Sequence, residues 1–226
     1  MKNKILIIFL IVSQTFLGQN INDRKIGDFR TLKVYDLINL ELIKAEENYA
    51  RITGDHSNSV VIKNKNGELK IRMGIEKRFR GANTIVKIYY NNIEKLFAHE
   101  GTAVHSKEKM DQTSFFVHAD EGSSIDLKLK VQDLSTKTNS GAIMSLKGNA
   151  AYHRAKINTG GELRASKLET EETEVFLSTG GQADVSAIEL INATVRAGGS
   201  VNVYSKTKKI IENTLAGGKV NYLYEE

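Results

Sequence analysis

The sequence predicts an all-β protein built as a parallel β-helix, or β-solenoid, of about seven coils. Short glycine-centred units recur about every 20 residues through the second half of the chain. Between these glycines, small or apolar residues alternate with polar ones on a period of two, which is typical of strands. No part of the mature chain shows the apolar periodicity of a helix. Repeats of this kind indicate coils that bury their apolar faces by stacking on one another.

The composition is that of a soluble protein, and it excludes several classes of site. Of the 226 residues, 40% are hydrophobic and 26% are charged, and proline, cysteine and tryptophan are absent. Without cysteine the chain has neither disulfides nor thiolate metal ligands. Lys2 and Lys4 belong to the leader described below, which leaves 30 basic against 27 acidic residues. That balance is too even for nucleic-acid binding, and no nucleic-acid partner is expected.

The first residues predict a secretory signal peptide. Lys2 and Lys4 precede the unbroken apolar run Ile5–Val12, and Gly18 offers a small residue for cleavage. We therefore interpret residues 1–18 as a signal peptide and expect the mature protein in the periplasm, on the outer surface or outside the cell. The alternative is an uncleaved anchor, but the apolar run is short for a bilayer span. No transmembrane segment is expected in the mature chain.

Residues 19–97 predict an N-terminal β segment that caps one end of the coil. The strand-like stretches are "FRTLKVYDLINLELIKA", "YARITG", "SVVIKNKNGELKIRM" and "TIVKIYY". Asn66-Gly67 is a strong hairpin signal between two of these strands. The basic run Lys77-Arg78-Phe79-Arg80 falls in the link from Gly74 to Asn83, for which we expect a solvated loop.

Residues 98–226 predict the coils themselves, continuous with the N-terminal segment in one domain over residues 26–224. Glycine takes positive φ without steric cost, so a corner that recurs in every coil favours a recurring glycine. A phosphate-binding loop is not expected, because no unit has the required spacing. The predicted structural corner glycines are spaced 21, 19, 20, 20, 18 and 19 residues apart, and they are Gly101, Gly122, Gly141, Gly161, Gly181, Gly199 and Gly218.

Parallel strands from successive coils stack about 4.8 Å apart, so seven coils give a stack of roughly 30 Å. A position shared by all coils should then form a column along this axis. Two residues after each glycine we expect an inward column of small or apolar side chains. Its members are Ala103, Ser124, Ile143, Leu163, Ala183, Val201 and Val220.

The chain resembles the head GIN domain family of bacterial auto-transporter adhesins, which is common among secreted Bacteroidetes proteins. The resemblance covers about residues 26–224 and rests on the order of "FRTLKV", "LELIKAEENYARITG", "NGELKIRM", "IVKIYY" and the glycine units ending in "AGGKVNYLY". It implies a right-handed β-helix and an adhesion or surface role, and it supplies no catalytic residues. The chain departs from the family in having no proline after "KIYYNN". Autotransport is not expected, because no translocator barrel is recognised.

Three groups of polar residues are candidates for chemistry. Glu100 and Glu121 precede consecutive corner glycines with Asp120 beside them, and stacked backbones would lie about 4.8 Å apart. Retaining glycosidases hold their two carboxyls about 5–5.5 Å apart, so this trio is the alternative catalytic or cation site. Thr159 and Thr179 share one column and could form a polar ladder or meet a glycan. The histidines, which are His56, His99, His105, His118 and His153, give no zinc motif. No metal and no cofactor is expected.

The function that this sequence predicts best is that of a non-enzymatic, secreted β-solenoid of the cell envelope, an adhesin or surface interaction module. Its partner would be a surface glycan or a protein, met by side chains that repeat along a rigid face. One alternative is a carbohydrate-active enzyme that uses Glu100, Asp120 and Glu121. Another is an envelope protein that binds a lipid or small ligand in an apolar groove between the N-terminal strands and the coil. Some self-association is expected through open sheet edges.

Overall fold

Residues 22–224, which are the residues that the computed structural model describes, form a β-solenoid of about seven turns. This confirms the predicted fold class. The predicted signal peptide, residues 1–18, lies outside the described residues.

Two short 3-10 turns, Ser57–Ser59 and Ile75–Lys77, interrupt the β-structure of the described chain. The strands are β1 Asn22–Lys25, β2 Thr31–Val34, β3 Asn39–Lys44, β4 Tyr49–Gly54, β5 Val60–Lys65, β6 Glu68–Met73, β7 Thr84–Tyr90, β8 Lys95–Ala98, β9 Ala103–Ala119, β10 Ser124–Thr138, β11 Ile143–Ile157, β12 Glu162–Ser178, β13 Gln182–Val185, β14 Leu190–Arg196, β15 Ser200–Val203, β16 Lys209–Leu215 and β17 Lys219–Tyr222.

Each coil has two sides, which we call sheet A and sheet B. Sheet A follows the corner and runs in the order β1, β4, β7, β3, β9, β10, β11, β12, β13, β15, β17. Sheet B precedes the corner and runs in the order β5, β6, β2, β8, β9, β10, β11, β12, β14, β16. The long strands β9 to β12 belong to both sheets because each bends in its middle. At the bends two successive residues are exposed, as at Gln132–Asp133 and Glu171–Glu172, and the inward phase then resumes.

The sharp corner of each coil is a pair of residues with positive φ, which is the conformation of a two-residue turn of type I′. Consecutive corners are joined by backbone hydrogen bonds, for example from Gly101 N–H to the Glu121 carbonyl at 2.9 Å. The corners therefore stack in one row along the axis. The pairs are Asp36–Leu37, Glu100–Gly101, Glu121–Gly122, Ser140–Gly141, Thr159–Gly160, Thr179–Gly180, Ala197–Gly198 and Ala216–Gly217.

The structure places the predicted corner glycines at two different positions. Gly101, Gly122 and Gly141 are the second residue of their left-handed pairs. Where the sequence has two glycines, the first completes the turn, so the remaining predicted glycines lie one residue beyond it. That next position forms a column whose side chains shrink along the axis. It is buried at Ile38, Thr102, Ser123, Ala142, Gly161 and Gly181 and partly exposed at Gly199 and Gly218. The second glycine is there because neighbouring coils approach too closely for a Cβ. At Gly181 a Cβ would lie 2.8 Å from the Gly161 carbonyl oxygen.

The same shift corrects the predicted inward column, which was wrong for the early coils. Ala103, Ser124 and Ile143 pair with Glu162 on the outer side of sheet A, not in the interior. Aligning on the last glycine had joined two columns whose side chains point in opposite directions. The column that is fully buried consists of Val104, Ile125, Met144, Leu163, Ala183 and Val201.

The N-terminal segment contains the first coil, which the sequence concealed because its corner, Asp36–Leu37, has no glycine. The chain then leaves the coil and returns at β8. On the way, β4 and β7 extend sheet A, while β5 and β6 extend sheet B through the predicted Asn66–Gly67 hairpin, whose two residues both have positive φ.

The core lies between the two sheets and continues from the N-terminal strands into the coils. Leu32, Leu40, Leu69 and Leu96 come from both sheets and are fully buried. The space that the lipid hypothesis assigned to a groove is therefore filled by side chains. At the other end of the solenoid, β16 is an edge strand whose residues are mostly exposed, and self-association there stays a prediction. In residues 22–224 no helix is long and apolar enough to cross a bilayer.

Candidate functional site

A half-exposed aromatic cluster lies on the outer surface of sheet B. The imidazole of His99 stacks on the Tyr35 ring with centroids 4.9 Å apart, and it meets the edge of His118 at 5.6 Å. Phe97 lies 5.4 Å from Phe116 and 5.8 Å from His118. Such offset and edge contacts are the favourable arrangements of aromatic rings. The five rings form one continuous platform, and all five side chains are partly open to solvent.

The platform follows from the register of the coils. Successive side chains of a strand point to opposite faces, and parallel neighbours in register place equivalent residues side by side. Phe97 pairs with Lys33 on one side and with His118 on the other. Phe116 pairs with Lys95 and lies two residues before His118 on the same strand face. Rings that lie on β8 and β9, or directly after β2 and β8, therefore meet although they are far apart in sequence.

Cations frame and extend the platform. Lys33 Nζ lies 5.3 Å from the Phe97 centroid and Lys70 Nζ lies 5.7 Å from the Tyr35 centroid, both within cation–π range. The outward column through Phe97 then continues along sheet B over the later coils. We call this column the aromatic–basic column, and its members in spatial order are Lys70, Lys33, Phe97, His118, Lys137, Lys156 and Phe176.

The charges of this surface are largely unneutralised. Lys33 pairs with Glu68 at 2.7 Å. Over residues 22–224, in contrast, Lys70, Lys137 and Lys156 take part in no ion pair, and Arg196 lies over the Phe176 ring at 5.4 Å. Sheet B therefore presents positive charge that is available to a ligand.

Sheet A carries outward ion pairs of its own. Glu41, which is buried, accepts from Lys87 at 3.0 Å and from Lys107 at 3.2 Å. Lys130 pairs with Asp111 at 2.9 Å in the same way. Sheet A nevertheless has an outward lysine column in which Lys109, Lys128 and Lys167 take part in no ion pair within residues 22–224. Unpaired cations thus occur on both sheets, and the aromatic platform is what distinguishes sheet B.

A ladder of polar side chains fixes the edge of the platform next to the corners. Asn139 Nδ2 lies 3.1 Å from His118 Nε2, and Asn158 Nδ2 donates to Asn139 Oδ1 at 3.0 Å. Ser178 Oγ donates to Asn158 Oδ1 at 2.6 Å. Burial and the nearby Lys137 ammonium lower the pKa of His118, so this imidazole is neutral at pH 7. The ladder holds the His118 ring in place across four coils.

A cleft opens on sheet B near each end of the aromatic–basic column. One has a volume of about 270 Å³ and is lined by Tyr35, Lys70 and Arg78 among others. The other, of about 390 Å³, lies between Arg154, Lys156 and Phe176. Each cleft thus combines an aromatic ring with cations.

The structure places the predicted carboxylates at the corners. Glu100 and Glu121 are the first residues of consecutive left-handed pairs, so they do lie in adjacent coils. Glu100 accepts from Arg78 Nη2 at 3.3 Å, while Glu121 is exposed. Burial acts to raise the pKa of Asp120, but hydrogen bonds from the Ser140 side chain and the Glu121 amide outweigh it and hold the pKa below its ordinary value. Asp120 is therefore ionised at neutral pH.

The remaining candidates are dispersed. Only His99 and His118 of the five histidines join the cluster, and in the described part of the chain no three His, Asp or Glu side chains converge as a metal site. His153 is fully buried, lies 2.9 Å from Thr136 Oγ1, and has its pKa lowered by burial to about 4. Thr159 and Thr179 are the first residues of their corners and are exposed.

Sequence reasoning missed Phe97 and Phe116, which had no recognised motif. A signal was present in the spacing: "LFAHEG" and "VHADEG" end on the corners at Gly101 and Gly122, 21 residues apart. Aligning these two units places Phe97 beside His118, so the spacing of the residues already contains the start of the aromatic column.

Comparisons with known proteins agree with this architecture. The family model described as "Putative auto-transporter adhesin, head GIN domain" matches residues 28–207. No functionally curated protein matches the chain significantly. A crystal structure from Bacteroides fragilis, described as a "putative adhesin", is 16% identical, covers 90% of this chain and 96% of its own, and superposes with a TM-score of 0.81.

Two further crystal structures come from Parabacteroides. The first, from Parabacteroides distasonis, is described as a "putative lipid binding protein" and is 16% identical with a TM-score of 0.70, covering 90% of this chain and 96% of its own. The second, a "putative adhesin" from Parabacteroides merdae, is 18% identical with a TM-score of 0.69, covering 90% and 95%. At these identities the structures establish the shared fold, while the family match extends over most of the sequence. The chain belongs to the auto-transporter adhesin family with a head GIN domain.

Proposed function

We propose that this protein is a non-enzymatic, exported surface interaction module that binds an extended acidic glycan along the outer surface of sheet B. The observation that carries the proposal is the aromatic–basic column, which places ring faces beside ammonium groups along successive coils, with Lys70, Lys137 and Lys156 in no ion pair within residues 22–224. The adhesin descriptions of the family and of its structural neighbours support a surface role.

The chemistry of the column suits such a polymer. Sugar rings present C–H faces that pack on aromatic rings, and Phe97 and Phe116 offer those rings half-exposed. Carboxylate or sulfate groups of the polymer would meet Lys137 and Lys156. Because the coils repeat about every 4.8 Å, a chain laid along the axis would meet a similar contact at every coil, and many weak contacts would add.

The absence of catalysis is part of the proposal, and the state of Asp120 supports it. A general acid needs a carboxyl whose pKa is raised toward the working pH. The pKa of Asp120 is instead lowered, and the Glu100 side chain is engaged by Arg78. These acids are better suited to fixing the corners than to transferring protons.

Binding of the purified protein to immobilised alginate and hyaluronan, with dextran as the neutral glycan, tests the proposal. We expect the double variant Phe97→Ala/Lys137→Glu to lose at least tenfold in affinity for the acidic glycans, because a ring face and a cation are removed together. The matched control is Ile85→Ala, an exposed apolar residue on the outer side of sheet A, which should bind like the wild type.

Two outcomes would contradict the proposal. Equal affinity of the wild type and the sheet B double variant would remove sheet B as the binding surface. Release of reducing ends from either polymer, lost in Glu100→Gln/Glu121→Gln, would instead establish the enzymatic alternative.

A further inference from the structure

Two large apolar side chains stand in solvent on the loop that follows β6. Ile75 is 84% exposed and Phe79 is 51% exposed. The loop is nevertheless held by the fold: Phe79 N–H donates to the buried Asp36 carboxylate at 3.3 Å, and Gly81 N–H donates to the Asp36 carbonyl at 3.2 Å. Arg78 adds ion pairs to the Asp36 and Glu100 carboxylates. The exposure of the two apolar side chains is thus built into an anchored loop.

The surroundings of the loop are strongly basic. Residues 60–80, which comprise β5, β6 and the start of the loop, contain seven basic and two acidic residues. We call this segment the basic tip. Ile75 borders two clefts, of which one is lined by Lys63, Arg72 and Lys77 and the other by Lys70, Arg72 and Arg78. Cations therefore surround the Ile75 side chain on both sides.

Most of these cations have no carboxylate partner. Of the seven, Arg78 alone pairs with acids in the described residues, since Lys63, Lys65, Lys70, Arg72, Lys77 and Arg80 take part in no ion pair there. A mature chain whose total charge is near balance thus concentrates its positive charge at one end, next to two exposed apolar groups. Like charges held this close repel one another, and a negatively charged surface would relieve that repulsion.

The combination selects the class of partner. A soluble polyanion such as a nucleic acid or sulfated glycan could neutralise the cations, but it would leave Ile75 and Phe79 in water. An anionic bilayer accepts both, because apolar side chains enter the acyl boundary while Lys and Arg meet lipid phosphates. We propose that the basic tip docks this protein on an anionic lipid bilayer, with Ile75 and Phe79 inserted. The tip shares Lys70 and one cleft with the aromatic–basic column, but Ile75, Phe79, Lys77 and Arg80, on which its test depends, lie outside that column.

The position of the tip in the fold fits this role. The strand β5 is the edge of sheet B at the N-terminal end of the solenoid. Docking there would leave the later coils projecting from the bilayer, with Lys137, Lys156 and Phe176 still accessible to a second partner.

Tryptophan fluorescence tests the insertion at the site itself. The chain has no tryptophan, so Phe79→Trp introduces the single indole and keeps an aromatic side chain. With phosphatidylglycerol vesicles we expect its emission to shift to the blue and to be quenched by brominated acyl chains. Phosphatidylcholine vesicles should produce neither effect. The matched control is Ile188→Trp, whose position on the bend of a later coil is 55% exposed. Its emission should not change, even if the apolar run Ile5–Val12 brings the whole chain to the vesicles.

Charge reversal in the same background separates attraction from insertion. Lys77→Glu/Arg80→Glu, combined with Phe79→Trp, should weaken partitioning by at least about fivefold per reversed cation, and added salt should weaken it as well. Circular dichroism of each variant checks that its β-structure is kept.

Three results would overturn the proposal. One is an indole at position 79 that stays unquenched with phosphatidylglycerol vesicles at low salt. Another is equal quenching with both lipids or at both positions. The third is binding to heparin with no spectral change on vesicles, which would assign the tip to soluble polyanions. None of these results depends on whether alginate binds to sheet B.

Discussion

Replacing the second glycine of a corner by alanine tests how closely the coils approach each other. Gly161 is buried and does not have a positive φ, so Gly161→Ala changes the occupied space and leaves the backbone conformation permitted. The new Cβ would lie 2.5 Å from the Thr138 carbonyl oxygen and 2.8 Å from its carbon, whereas ordinary contact begins at 3.4 Å. The obstructing atoms are backbone atoms, so a change of rotamer cannot relieve the collision.

The magnitude follows from what must move. The Thr138 carbonyl accepts the Asn158 N–H at 3.0 Å, a bond that joins two coils. Overpacking costs about 1–3 kcal/mol and a weakened hydrogen bond about 1 kcal/mol. We expect Gly161→Ala to lower the free energy of unfolding by about 2–3 kcal/mol. For a domain of this size that corresponds to a fall in Tm of roughly 5–10 °C.

Urea unfolding followed by circular dichroism measures the effect as a lower midpoint with an unchanged m value. The control is Gly160→Ala at the preceding residue, where φ is +70° and an added Cβ meets nothing within 4 Å. That variant carries only the left-handed penalty of about 1 kcal/mol. If Gly161→Ala cost no more than Gly160→Ala, the argument from close coil packing would be refuted.

Two further predictions concern the interior and the corners. Burial lowers the pKa of His153 to about 4, so between pH 6.5 and 4 the unfolded chain binds the proton and the folded one does not. The free energy of unfolding is therefore higher by ~3 kcal/mol above pH 6.5 than at pH 4, and this stabilisation is lost as the pH falls toward 4. Unfolding free energies across this range should show that loss, and His153→Gln should flatten it; an unchanged slope in the variant would contradict the assignment. Thr159 is β-branched and has a positive φ in its left-handed corner, a conformation that asparagine tolerates better. Thr159→Asn should therefore raise the free energy of unfolding by about 0.5–1 kcal/mol, measured by thermal unfolding. The control is Ser124→Asn, on an extended strand. A destabilised Thr159→Asn protein would contradict the inferred strain.

The sequence was sufficient for the fold because the coils repeat. A left-handed pair in every coil selects glycine at its second residue, so the spacing of glycines reports the length of each coil directly. The hairpin at Asn66–Gly67 was equally readable, since both residues tolerate positive φ. The first corner was hidden because Asp36–Leu37 adopts the same conformation without glycine, held by a hydrogen bond from Leu37 N–H to the Glu100 carbonyl.

The candidate site could not be predicted in the same way. Alignment on the last glycine shifted several coils by one residue, and in a strand a shift of one residue exchanges the inner and outer faces. The outer column could be followed from Phe97 to His118 but not onward to Lys156 and Phe176. The acidic residues were placed correctly in adjacent corners, but their partners, such as Arg78 for Glu100, come from a loop whose position the repeat does not specify.

The sequence by itself determined that this protein is a β-solenoid with stacked corners. The left-handed corner, which favours glycine, is a local feature that recurs from coil to coil. Only the tertiary structure decided which side chains share a surface. The bends of β9 to β12 and the excursion that carries β4 to β7 set the register between coils, and register is a non-local property. The aromatic platform, the unpaired cations of sheet B and the exposed Ile75 and Phe79 all depend on that register.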